Sequence, residues 1–243
     1  MIDLIYLAIA GGTMLLSLGA AALVRSRVAE ARLVPAQGGI TGAEAARRIL
    51  LHTGLEGLRI EEHDGVLSDH YNPMSRTLAL SRDVYHGRDA AAVGIAAHEA
   101  GHAIQHAQGY APMWLRSVLV PAANLGSLLG PWLVMGGIAL GAAQQAVPGA
   151  GWWLAVVGLA LFGAAAAFTL VTLPVEFDAS ARARMLLREY AIVGDSEAED
   201  SRQVDRVLTA AGLTYVAAAA TSVLWLLYWA WQAGFLGNRD RNS

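Results

Sequence analysis

The apolar positions of this chain fall into long unbroken runs rather than into stripes. Four runs stand out, at residues 2–24, 117–147, 152–174 and 213–236. Each reaches the roughly 20 residues that a helix needs to cross the hydrocarbon core of a bilayer. None carries Arg, Asp or Glu in its interior, and two polar regions, 25–116 and 175–212, separate them. In the first polar region the pattern changes to short elements. Thr41-Gly42-Ala43-Glu44 reads as a capping box, followed by a helix from Ala45 to His52 that closes near Gly54. Leu58-Arg59-Ile60 starts a strand, Asp64-Gly65 is a hairpin signal, Val66 to Tyr71 is a second strand, and Thr77 to Leu80 alternates as a third after the turn Asn72-Pro73-Met74-Ser75. Asp89 to Gln108 reads as a helix capped by Asp89 and stopped by Gly109 and Pro112. In the second polar region Ser196-Glu197-Ala198-Glu199 resembles another capping box, opening a helix that includes Arg202, Asp205 and Arg206, with Gly212 ahead of the last run. The expectation is a mainly α membrane protein with about four transmembrane helices and a small β-sheet in its first polar region.

Composition supports that class. The chain is 55% hydrophobic, against about 45–50% for soluble domains. The first run lacks a basic leader and is longer than a signal-peptide core, so it reads as an uncleaved anchor. Arginine supplies all the basic charge, because Lys is absent. Arg25, Arg27, Arg32 and Arg116 border the first polar region, and Arg182, Arg184, Arg188, Arg202 and Arg206 fill the second, whereas the link from Gln144 to Gly151 carries no charge. Arginine-rich flanks mark the cytoplasmic side, so both polar regions are expected there, with the N-terminus outside. Trp152 and Trp153, and Trp225, Tyr228, Trp229 and Trp231, suit the membrane interface. Gly-rich spans allow close helix association, including a homo-oligomer, and Pro121 and Pro131 can kink the second span. The net charge of −3 does not suggest a nucleic-acid partner. There is no Cys, which excludes disulfides and thiolate metal sites.

One stretch carries chemistry. His98-Glu99-Ala100-Gly101-His102 is a His-Glu-x-x-His motif inside the apolar helix expected at 89–108. Residues four apart share a helix face, so His98 and His102 can offer two imidazoles to one ion while Glu99 lies one step round. Zinc accepts His nitrogen and carboxylate oxygen and keeps a position for water, and in this motif the Glu is the general base of a metalloprotease. A Glu in such apolar surroundings is costly to bury without a partner. A third ligand is then required, and Glu176 in Leu173-Pro174-Val175-Glu176-Phe177-Asp178-Ala179-Ser180 is the best candidate, with Asp178 beside it. His106, one turn beyond His102, lies too far along the axis to share the ion. His70 and Tyr71, at the end of the second strand, are candidates for a supporting or substrate-binding role. The sheet either packs on the helix or offers an edge to an extended peptide.

Together with Ser68-Asp69-His70-Tyr71-Asn72-Pro73, these motifs resemble the YugP-type family of bacterial neutral zinc metallopeptidases, over nearly the whole chain. That family is distantly similar to membrane proteases of the HtpX and CAAX-prenyl types. The resemblance implies a zincin-like catalytic region, zinc on His98, His102 and Glu176, Glu99 as catalytic base, an inner-membrane multi-pass location with the active site on the cytoplasmic side, and a peptide or membrane-protein substrate. It implies one departure too. The relatives place an Asp four residues after the third ligand, where this chain has Ser180, and Asp178 points elsewhere on a helix. Asp178 is therefore expected either to pair with an Arg or the sheet, or to orient a ligand. An intramembrane protease of the site-two type would need a ligand Asp within another span, which the sequence does not offer. A non-catalytic scaffold or chaperone retaining the zinc site is the alternative to an endopeptidase.

Overall fold

The computed structural model describes residues 3–65, 68–142 and 149–236. Val66 and Leu67 of the expected second strand, most of the 144–151 link and the polar tail at 238–241 lie outside the described residues. Among the described residues four helices are long and apolar enough to cross a membrane: α1 (Leu4–Ala31), α5 (Ala111–Ala139), α6 (Ala150–Glu189) and α7 (Glu199–Gln232). The shorter elements among the described residues are a 3-10 turn (Gln37–Gly39), α2 (Gly42–His52), β1 (Arg59–His63), β2 (His70–Asn72), β3 (Thr77–Ser81), α3 (Arg82–His86) and α4 (Ala90–Ala107). The chain divides into two compact units, one built from 1–17, 115–173 and 215–243, the other from 18–114 and 174–214.

The first unit consists of apolar helices with their large side chains turned outward. Leu4, Leu7, Leu15, Leu128 and Trp132 are all exposed, as suits helices whose solvent is hydrocarbon. Between such helices the hydrophobic effect supplies no drive, so close backbone approach must do so. α5 and α6 show this approach. A Cβ on Gly126 would collide with the carbonyl oxygen of Leu161, and one on Gly130 would sit 3.1 Å from the Gly158 carbonyl. The N-terminal end of α1 is tied off by Asp3, which accepts from the Tyr6 N–H at 2.6 Å and from Gln232 Nε2 at 2.7 Å. Tyr6 packs edge-on against Trp225 and Tyr228, with ring centroids 5.2 and 5.9 Å away.

The second unit has a conventional core, in which Ile49, Leu50, Leu78, Leu80, Val93 and Leu187 are fully buried. The capping box of α2 forms on both sides: Glu44 N–H donates to Thr41 Oγ1 at 3.1 Å, and Thr41 N–H to Glu44 Oε2 at 2.7 Å. Asp89 caps α4 by accepting from the Ala92 N–H at 3.0 Å, and Gly109, at φ +63°, follows its C-terminal end.

Two expectations are corrected. Asp64-Gly65 does not make a hairpin between neighbouring strands. The sheet order is β1-β3-β2, with β1 parallel and β2 antiparallel to β3. Burial explains the order: β3 is buried at four of its five positions, whereas β1 and β2 are mostly exposed or half-buried. The most apolar strand therefore takes the centre, where both edges are paired. Ser196 does not cap α7. The helix starts at Glu199, and the carboxylate of Asp200 organises the preceding chain by accepting from Gly194 N–H and Gln37 N–H. Two helices also reach beyond their apolar runs. α6 runs on to Glu189 although Pro174 lacks the N–H for one ladder bond. α7 passes through Gly212, where a Cβ would meet the Phe177 ring at 3.0 Å. α3 was not legible at all.

Replacing Gly126 with Leu should overpack the contact between α5 and α6, a cost of about 1–3 kcal/mol or more. Thermal unfolding in detergent should show a melting point several degrees lower; an unchanged melting point would contradict this packing.

Candidate metal centre

α4 places His98, Glu99 and His102 on adjoining faces, and α6 places Glu176 opposite them. The two helices can meet closely because of Gly101, the fourth residue of the motif. A Cβ there would stand 2.8 Å from the carbonyl oxygen of Ala179, well inside ordinary contact. Ala179 lies three residues beyond Glu176, so this approach sets how far the carboxylate reaches.

Glu176 Oε2 lies 3.2 Å from His98 Nε2 and 3.5 Å from His102 Nε2. One ligand atom from each of the three residues lies within 4.8 Å of the others. Zinc with bonds of about 2.0–2.2 Å in a tetrahedral arrangement separates its ligand atoms by roughly 3.3–3.6 Å, close to both carboxylate–imidazole separations here. The Nδ1 atoms point away and are occupied. His102 Nδ1–H donates to Gln105 Oε1 at 3.0 Å, and His98 Nδ1 shares a hydrogen bond of 3.1 Å with Ser180 Oγ. Both rings thus turn Nε2 toward one point, as metal-ligating histidines do when the other nitrogen is held.

The acidic groups are far from their solution behaviour. Burial alone would raise the Glu176 carboxyl, but hydrogen bonds from His102 and His98 hold it well below the usual carboxylate range. Burial disfavours charge on His102, yet Glu176 and Glu99 outweigh it and raise its pKa. Glu99 is the reverse case. Burial pushes its carboxyl up, against the pull of His98 and His102, which brings a carboxylate toward the range useful to a general base. Its position is fixed by the sheet: the backbone N–H of Tyr71 on β2 donates to Glu99 Oε2 at 3.0 Å. Asp69 supports that strand, accepting from Ser81 N–H at 2.7 Å and Ser81 Oγ at 3.2 Å.

The remaining candidates separate. Tyr71 contributes its backbone, while its hydroxyl bonds His106 Nδ1 at 2.9 Å. His70 is exposed, with Nδ1 against the Ser68 carbonyl and its ring edge-on to His63; it does not join the cluster. Asp178 meets an Arg, as one of its two expectations had it, and also reaches a ligand indirectly. Its Oδ2 accepts from Arg182 Nε at 2.6 Å and from Gln105 Nε2 at 2.8 Å, and Gln105 also donates to the Val175 carbonyl. A chain Arg182–Asp178–Gln105–His102 results. Gln105 and the role of Ser180 escaped the sequence reading. The available signal was Gln105 three residues after His102 on an apolar helix, where a fully buried amide needs partners.

Loss of either ring support should weaken the metal while leaving the three ligands in place. Ser180→Ala and Gln105→Leu should each reduce zinc affinity by about 10–100-fold, measured by competition with a chelating dye. Wild-type affinity in both would deny these residues a part in orienting the imidazoles.

Comparison with known proteins agrees with this geometry. A model of the family described as "Putative neutral zinc metallopeptidase" matches residues 6–234. A relative from Bacillus subtilis (strain 168), "Putative membrane protease YugP", is 41% identical over 219 residues, covering 90% of this chain and 91% of the relative. No solved structure matches.

Proposed function

The chain belongs to this zinc metallopeptidase family, and from that premise we propose that it is a membrane-embedded, gluzincin-like zinc endopeptidase working on the cytoplasmic side of the inner membrane. The observation that carries the reading is the convergence of His98 Nε2, His102 Nε2 and the Glu176 carboxylate, with Glu99 buried beside them. His98, His102 and Glu176 hold the ion. Bound zinc supplies a Lewis acid and a water whose pKa falls toward about 7. Glu99, steered by the Tyr71 amide, takes the proton of the attacking water and passes it to the leaving amine. Ser180 and Gln105 keep the two imidazoles turned toward the ligand position.

β2 is an edge strand, and its unpaired side is the one that meets Glu99. An extended substrate segment laid along that side would present its backbone to the base. This supports peptides, or exposed cytoplasmic segments of membrane proteins, as substrates. The arginines at the polar ends of the apolar helices support the cytoplasmic placement.

Glu99→Gln should keep zinc near one per chain and lose cleavage of casein or a model peptide by about 10²-fold or more, whereas Glu176→Ala should lose the metal itself. Zinc in both wild type and Glu99→Gln with cleavage in neither would move the weight to a non-catalytic scaffold. Zinc missing from the wild type would remove the basis of the proposal.

Orientation has a separate test, made clean by the absence of native Cys. Single cysteines at Met74 and Glu197 should resist a membrane-impermeant maleimide in intact spheroplasts and react after lysis. Labelling of either in intact cells would reverse the topology.

A further inference from the structure

Beside Glu99 lies a cavity that the proposed chemistry does not use. It encloses about 180 Å³, more than the roughly 150 Å³ of an apolar cavity that accepts a benzene ring. Its walls are Leu55, Leu58, Ala103 and Ala107. Ala103 and Ala107 follow Glu99 by four and eight residues on α4, so the cavity continues the helix stripe that carries the base. The rim is polar. The Tyr71 hydroxyl and His106 are joined by their 2.9 Å hydrogen bond, and Arg76, exposed and held at φ +51°, completes the lining. Tyr71 belongs to both features: its amide holds Glu99 and its ring lines the cavity.

We propose that this cavity is a substrate specificity pocket that receives one bulky, uncharged apolar side chain of the peptide lying along β2. The inference rests on the peptidase reading and names the side-chain class the site selects. Helical rise puts the cavity roughly 6–12 Å from Glu99 along α4, and an extended peptide advances about 3.3 Å per residue. The selected residue therefore stands about two to four positions from the scissile bond. Aliphatic walls reward Leu, Met or Phe there. The Arg76 guanidinium at the mouth disfavours Lys and Arg.

The test compares zinc-loaded wild type with Ala107→Phe, a change at an exposed wall residue that fills the pocket, and with Leu55→Ala, which enlarges it. Peptides varied one position at a time around a cleaved bond are assayed for kcat/KM. Wild type should favour Leu over Gly by about 10-fold or more at one position. Ala107→Phe should abolish that preference, with zinc content and melting temperature unchanged and the profile elsewhere retained. Leu55→Ala should move it toward larger side chains. A flat wild-type profile, or an undiminished preference in Ala107→Phe, would overturn the pocket and leave the peptidase intact. If the zinc-loaded wild type cleaves no peptide, the peptidase reading fails instead. The pocket is then decided by titrating the Leu and Gly peptides onto both proteins: tighter binding of the Leu peptide that Ala107→Phe removes supports it, and equal binding overturns it.

Discussion

The buried carboxylate of Glu176 between two imidazoles is the constraint on which the rest of this site depends. Such a group is tolerable in the interior only with opposite charge or a metal at hand. Here both imidazoles lie within 3.5 Å of it. The requirement propagates outward. α4 and α6 must touch, so Gly101 carries no side chain against Ala179. The rings must not turn, so Gln105 and Ser180 engage their second nitrogens. Gln105 in turn must be satisfied, and the Val175 carbonyl and Asp178 do so.

What could be read in advance was local. The bounds of α4 follow from one capping Asp and one Gly at positive φ, and the capping box of α2 from four consecutive residues. The candidate metal ligands on α4 follow from the His-Glu-x-x-His spacing on a helix. Glu176 was legible because a carboxylate at the end of a long apolar run is conspicuous. The elements that escaped depend on packing between segments distant in sequence. Ser180 has its partner 82 residues away, and Gln105, although three residues from His102, is satisfied by a carbonyl 70 residues on. The sheet is the clearest case. Asp64-Gly65 signals a hairpin, but the apolar β3 outcompetes β2 for the place next to β1, because only the central strand is covered on both edges. Pro174 and Gly212 look like helix breakers to a local rule, yet α6 and α7 run through them.

The departure at position 180 also has a physical resolution. A carboxylate is one of several groups that can hold the distal nitrogen of a ligand histidine; a hydroxyl serves when it is buried at the right distance. Ser180 occupies that place here, and Asp178 reaches His102 at one remove through the Gln105 amide. Negative charge is kept near the centre without a second carboxylate in contact with the ligands.

The order of the ligands along the chain has a consequence for biogenesis. His98, Glu99 and His102 emerge together, but Glu176 follows 78 residues after His98. Two imidazoles and a base on one solitary helix make a poor metal trap. During synthesis, at about 5–20 residues per second, the growing chain therefore lacks a hydrolytic centre until a later helix has docked. The candidate metal centre is thereby incomplete until α6 has met α4.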